Sequence, residues 1–124
     1  MQRLRGFTLI ELLVVMAIIA TLLTLALPRY FHSVDKSREA VLHQNLAETR
    51  NALDKFFGYN ARYPYSLNEL VEKKYLRSLP YDPVTDSSSD WMIVAPEGGE
   101  SGAVFDLKSA APGNGLDGTP YSEW

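Results

Sequence analysis

The side chain most able to do chemistry in this 124-residue sequence is a carboxylate set among hydrocarbons. From Gly6 to Pro28 the only ionisable residue is Glu11. In lipid such an acid costs about 3 kcal/mol even on insertion scales, so an intramembrane carboxylate marks a function rather than an accident. The plainer alternative is an acid near the membrane edge that snorkels to water, since it lies close to the start of the run. Elsewhere reactive groups are thinly supplied. The absence of cysteine excludes disulfide scaffolds, thiol catalysis and thiolate zinc sites. His32 and His43 are the only imidazoles, and neither stands in a recognisable nucleophile–base context. Both are read as solvated helix surface, and an enzyme is not expected. The formal charge is −3 with no basic stretch, which argues against nucleic acid as a partner.

The segment that must position Glu11 is itself distinctive. Phe7 to Leu27 is a run of 21 residues in which only Thr8, Glu11, Thr21 and Thr24 are not apolar. As a helix it spans roughly 30 Å, the thickness of a bilayer's hydrocarbon core. Pro28 is expected to kink this helix rather than end it. Beyond it, residues 42, 46, 49, 53 and 56 fall on one face at the helical period, with Thr49 the polar exception. The opposite face carries Asp35, Lys36, Glu39, Gln44, Glu48, Arg50, Asp54 and Lys55, with Glu39–His43 and Arg50–Asp54 as candidate pairs four apart. A mixed-sign face argues against a helix lying on lipid, where Lys and Arg predominate. Gly58-Tyr59-Asn60 is the expected stop.

The remaining sequence reads as a small head. Ser66 and Glu69 form a capping-box pattern that predicts a helix over 67–74, and Leu79 to Pro83 is a proline-fixed turn. Trp91 to Val94 and Val104 to Leu107 read as strands joined through Gly98-Gly99. The Asp82 to Asp90 run is read as a solvated Ser–Asp loop, with cation binding the less favoured alternative. The expected fold is α+β, a long helix packed on an antiparallel sheet of two to four strands. One modest domain and one long helix are all this length allows. The expected organisation is 1–6 a leader, 7–28 a membrane-spanning helix, 29–60 its amphipathic continuation, and 61–124 the head.

Three readings of the N-terminus compete. A cleaved secretory signal calls for a shorter apolar stretch closed by a small-residue site, and no A-x-A triplet closes this one. A plain anchor explains the length, with Arg3 and Arg5 holding the N-terminus in the cytoplasm, but not Glu11. The third reading covers the acid. Gly6-Phe7-Thr8-Leu9-Ile10-Glu11, after a short basic leader, resembles the type IV prepilin signature. The resemblance implies a prepilin peptidase that cuts between Gly6 and Phe7 and methylates Phe7. It matches Glu11 to the family's acidic fifth mature residue, which meets the amino terminus of a neighbouring subunit and sets the register of a filament. Attraction of this kind strengthens as the local dielectric falls.

The order Tyr63-Pro64, Leu67-x-x-Leu70-Val71, Lys74-Tyr75-Leu76 and Leu79-Pro80-x-Asp82-Pro83 resembles the head of the major (G-type) pseudopilin of type II secretion systems. A tryptophan–glycine turn usual after the proline step is replaced here by Val84 to Trp91. The resemblance also implies a calcium site in the C-terminal loop, for which Asp117, Asn114 and loop carbonyls are the candidate ligands. The loop is short of acids for a cation that wants six to eight oxygens, and a plain Gly-rich turn is the alternative. Tyr121 and Trp124 are expected to close the core or line a subunit contact.

The function implied is a structural subunit polymerising into a periplasmic filament for type II protein secretion. The alternative is a pilin of a type IV pilus serving adhesion, motility or DNA uptake. The expected partners are copies of itself, the peptidase, other pseudopilins and an inner-membrane assembly platform. The expected location is the bacterial inner membrane, crossed once, with the head in the periplasm.

Overall fold

The computed structural model describes residues 6–98 and 103–124, and Gly99 of the expected strand connection lies outside them. The helix α1 runs from Leu9 to Asn60 and continues through Pro28. The chain divides into two compact units, 1–35 and 36–124.

In the first unit, every described residue through Ser33 is exposed. Leu9, Leu13, Ile18, Leu22 and Leu25 project from all sides of the helix with no covering within the chain. A helix apolar all round belongs in lipid or among other helices. The hydroxyls of Thr21 and Thr24 donate to the carbonyls of Ala17 and Ala20 at 2.8 and 2.7 Å, so neither carries an unsatisfied donor into such surroundings. This is the one described helix long and apolar enough to cross a membrane.

In the second unit α1 becomes one-sided. Leu42, Leu46, Ala52, Leu53 and Phe56 are buried, and the period resolves Val41 or Leu42 to Leu42 and Phe56 or Phe57 to Phe56. Thr49, on the same face, satisfies its hydroxyl on the Asn45 carbonyl at 2.8 Å. Helix α2, Leu67–Glu72, presses Leu67 and Leu70 on this stripe. The Ser66 side chain caps it by accepting from the Glu69 N–H, as the sequence pattern requires. It ends two residues before the expected limit. Lys74 takes a left-handed backbone, φ 65°, and the N–H groups of Tyr75 and Leu76 turn back to the Leu70 carbonyl.

Two strands complete the layer, β1 at Trp91–Val94 and β2 at Asp106–Ser109, antiparallel with Trp91 opposite Ser109 and Val94 opposite Asp106. The ladder begins two residues later than the expected Val104. The Val104 N–H donates to the Pro64 carbonyl at 2.8 Å, so this residue joins the α2 entry instead of β1. Val104 and Leu107 enter the core with Trp91, whose indole N–H donates to the Pro80 carbonyl. The 82–90 segment is more than a solvated loop. Asp82 is buried: Oδ1 accepts from the N–H groups of Val84 and Thr85, and Oδ2 accepts from the Ser109 hydroxyl at 2.5 Å. The Asp82-Pro83 turn is thereby fastened to β2.

Candidate functional site

The start of α1 is built around Thr8 and Glu11. The Glu11 N–H donates to the Thr8 hydroxyl at 3.3 Å, and the Glu11 carboxylate accepts from the Thr8 N–H at 3.2 Å. This is a reciprocal capping box: two of the amides that a helix N-terminus leaves without intrahelical partners are satisfied by side chains. The Glu11 carboxylate is therefore not unpaired in the single subunit. It has instead a partner three residues away, and the first-turn position also sets its charge against the positive end of the helix dipole. Gly6 and Phe7 precede the helix, both exposed, and an added Cβ on Gly6 would meet nothing within 4 Å in this chain. Gly6, Phe7 and Glu11 therefore lie together at one accessible end of an apolar rod. Such an end leaves Gly6, Phe7 and the Glu11 carboxylate open to a partner.

The other predicted positions take up different surroundings. The Asp117 Oδ1 accepts from the N–H and the hydroxyl of Thr119 at 3.0 and 2.6 Å, and these bonds, the hydroxyl's foremost, hold its carboxyl below the ordinary aspartate value. Asn114 bridges to Pro120. Among the described residues no group of three or more His, Cys, Asp or Glu side chains converges as a metal cage would require. One carboxylate already engaged and an amide fall well short of a calcium shell, so this loop's side chains do not fit the cation. Tyr121 and Trp124 are partly buried against the core, as expected. His32 and His43 are both exposed on α1, and His43 stacks on the Trp124 indole with centroids 3.9 Å apart.

Two residues assigned to the polar face of α1 turn inward. Glu39 is buried and accepts from the Leu116 N–H at 2.8 Å and the Tyr121 hydroxyl at 2.9 Å. Arg50 pairs with Asp106 at 2.9 Å and donates to the main-chain oxygens of Leu107 and Trp124. Neither makes the helical pair four residues on that spacing offered. Their partners are 56 to 82 positions distant in sequence, where no local pattern reaches.

The comparisons with known proteins agree with this arrangement. The family described as the prokaryotic N-terminal methylation motif matches residues 1–27, the segment holding Gly6, Phe7 and Glu11. The type II secretion system core protein G of Klebsiella pneumoniae is 34% identical over 98% of this chain and 91% of its own length. Its counterpart from Escherichia coli strain K12 is 34% identical over 87% of this chain and 81% of its own. The type IV major pilin protein PilA of Myxococcus xanthus is 38% identical, but over 53% of this chain and 30% of its own. No solved structure matches. With likeness running the length of both chains, a methylation motif at the apolar end and an α+β head on the same helix, this chain belongs to the type IV pilin-like family as a major pseudopilin of the core protein G kind.

Proposed function

We infer that the chain is a structural subunit that polymerises through the apolar half of α1 into a periplasmic filament driving type II protein secretion. The observation that carries this reading is the Thr8–Glu11 box at the tip of a helix whose apolar surface is exposed on every side in the single chain. A carboxylate there has a modest partner in the monomer and room for a stronger one. A prepilin peptidase cuts after Gly6 and methylates Phe7, and the new amino terminus of a neighbouring subunit then draws Glu11 into a charged pair. In the low dielectric of packed helices this attraction exceeds that of the Thr8 amide, and it fixes how far one subunit is offset from the next. The chain performs no catalysis. Other pseudopilins and an inner-membrane platform are its partners, with the N-terminus cytoplasmic and the head periplasmic before assembly. The surface-pilus reading is weaker, since the likeness to the pilin stops at about half of this chain.

The test separates charge from cap. Glu11→Gln keeps an acceptor for the Thr8 N–H and removes the charge, whereas Glu11→Ala removes both. Both variants should insert and be processed, and both should yield less than about a tenth of the parental sheared filament. Filaments at the parental level from Glu11→Gln would show that register does not depend on the charge.

A further inference from the structure

The C-terminal loop raises a question that the filament reading does not answer: what orders residues 113–124, which contain three glycines, one proline and only two acids, Asp117 and Glu123? We propose that the loop is locked onto α1 by side chains, with Glu39 as the central acceptor and Arg50 as the second fastening, and that it needs no cation.

The lock has three parts. Glu39 comes from a helix whose backbone acceptors are already used, and its Oε1 takes both the Leu116 N–H and the Tyr121 hydroxyl. One carboxylate thus ties together two points of the loop five residues apart. Arg50, about three turns further along α1, reaches the main-chain oxygen of Trp124 at 2.7 Å and the Leu107 carbonyl at 3.2 Å while paired with Asp106. It joins the loop's far end to β2. Between these two fastenings sits Trp124, stacked on His43 at 3.9 Å and edge-on to Tyr121 at 4.9 Å, its indole N–H donating to the Thr119 hydroxyl. Gly115 makes room for it, because a Cβ there would collide with the indole.

Several of the loop's own oxygens are occupied in the same arrangement. The Gly113 carbonyl accepts from the Tyr121 N–H, Gly115 from Gly118, and Thr119 from Gly115, while Asp117 closes on Thr119. Three of the loop's carbonyls and one oxygen of the Asp117 carboxylate already serve internal bonds, and a calcium shell calls for more charge than Asp117 alone supplies. What a divalent ion would contribute, a strong central charge gathering scattered oxygens, is contributed in the opposite sense. A central carboxylate gathers scattered donors.

The experiment is peptide-resolved hydrogen exchange on the full chain in detergent, in chelator and in millimolar calcium. The parent should protect the 113–124 segment equally in both. Glu39→Ala should speed exchange there roughly tenfold or more, because two donors lose their acceptor, while α2 and β1 stay protected. Tyr121→Phe removes one hydroxyl without disturbing the core, and should give a smaller increase in the same segment. If Glu39→Ala unfolds the whole head, Tyr121→Phe decides. Parental exchange in the 113–124 segment of Tyr121→Phe overturns the lock, as does a calcium-dependent gain in protection of the parent. Asp117→Ala should remain indifferent to calcium, and a response that it abolishes would return the loop to metal.

Discussion

At the scale of single residues, polar side chains here act as fasteners between segments distant in sequence, and Glu69 illustrates how that becomes measurable. Burial works to raise its carboxyl. The Arg62 guanidinium at 2.7 Å, the Tyr65 N–H and the nearby Lys73 outweigh burial and hold it below the ordinary glutamate value of 4.5. A depressed folded value means that the unfolded chain takes up its proton first as pH falls. The stabilisation is therefore fully present above 4.5 and is lost as pH drops through the folded value. Urea midpoints of the full chain in detergent should fall between about pH 6 and pH 3, and Glu69→Gln should be less stable at neutrality and lose less over that range. Parallel curves for parent and variant would mean the Arg62 pair contributes nothing to folding. Sequence offered part of this account. The capping pattern at Ser66 and Glu69 is local, and it was legible; the carboxylate, however, reaches Tyr65 and Arg62 rather than the Ser66 amide of a full box. Glu39 and Arg50 were not legible at all. Periodicity assigns a face by the average hydrophobicity of its residues, and a charged residue whose donors arrive from the chain's other end looks like any solvated one.

At the scale of elements, the boundaries rather than the elements escaped the sequence. The apolar stripe gave α1, and Leu46, Leu53 and Leu70 lie in its core contacts with almost no exposure. The expected stop Gly58-Tyr59-Asn60 falls where α1 ends, at Asn60. Gly58 remains inside α1, and the residue that takes the left-handed backbone is Ala61, φ 54°, whose N–H closes on the Phe57 carbonyl at 2.9 Å. A glycine spends conformational entropy in a helix, and an alanine spends steric energy in the left-handed region, so these two residues are each at the other's preferred position. An added Cβ at Gly58 meets no neighbour within 4 Å. Gly58→Ala and Ala61→Gly should each stabilise the head by roughly 0.5–1 kcal/mol, and nearly additively. Thermal melting followed by circular dichroism reads this directly. A lowered melting temperature for Ala61→Gly would place the end of α1 elsewhere. The β2 shift has the same origin: Val104 has a strand-former's side chain, but its amide is taken by Pro64, which lies 40 residues earlier in the numbering and outside any strand pattern.

At the scale of the whole molecule, one helix serves two solvents. Its first half presents apolar side chains in every direction, and its second half presents them in one. The change in pattern is what divides the chain into units at residues 35 and 36. It also fixes how the chain can sit across a bilayer. The basic residues Arg3 and Arg5 lie on the short side of the apolar run, while Arg29, Lys36 and Arg38 lie on the long side. A simple count of charges would favour the long side for the cytoplasm. The count, however, applies to short flanks, since large domains translocate largely regardless of their charge. On this rule the short flank decides, and the orientation we propose places the head in the periplasm. The absence of cysteine makes this easy to check, because a single introduced thiol is the only one present. Asp54 is exposed on the outer face of α1 within the head unit, and Asp54→Cys should leave the core intact. A membrane-impermeant maleimide should label this variant in intact spheroplasts as completely as in lysed ones. Labelling that appears only after lysis would reverse the orientation, and with it the periplasmic filament, since a head held in the cytoplasm could not assemble on the other side.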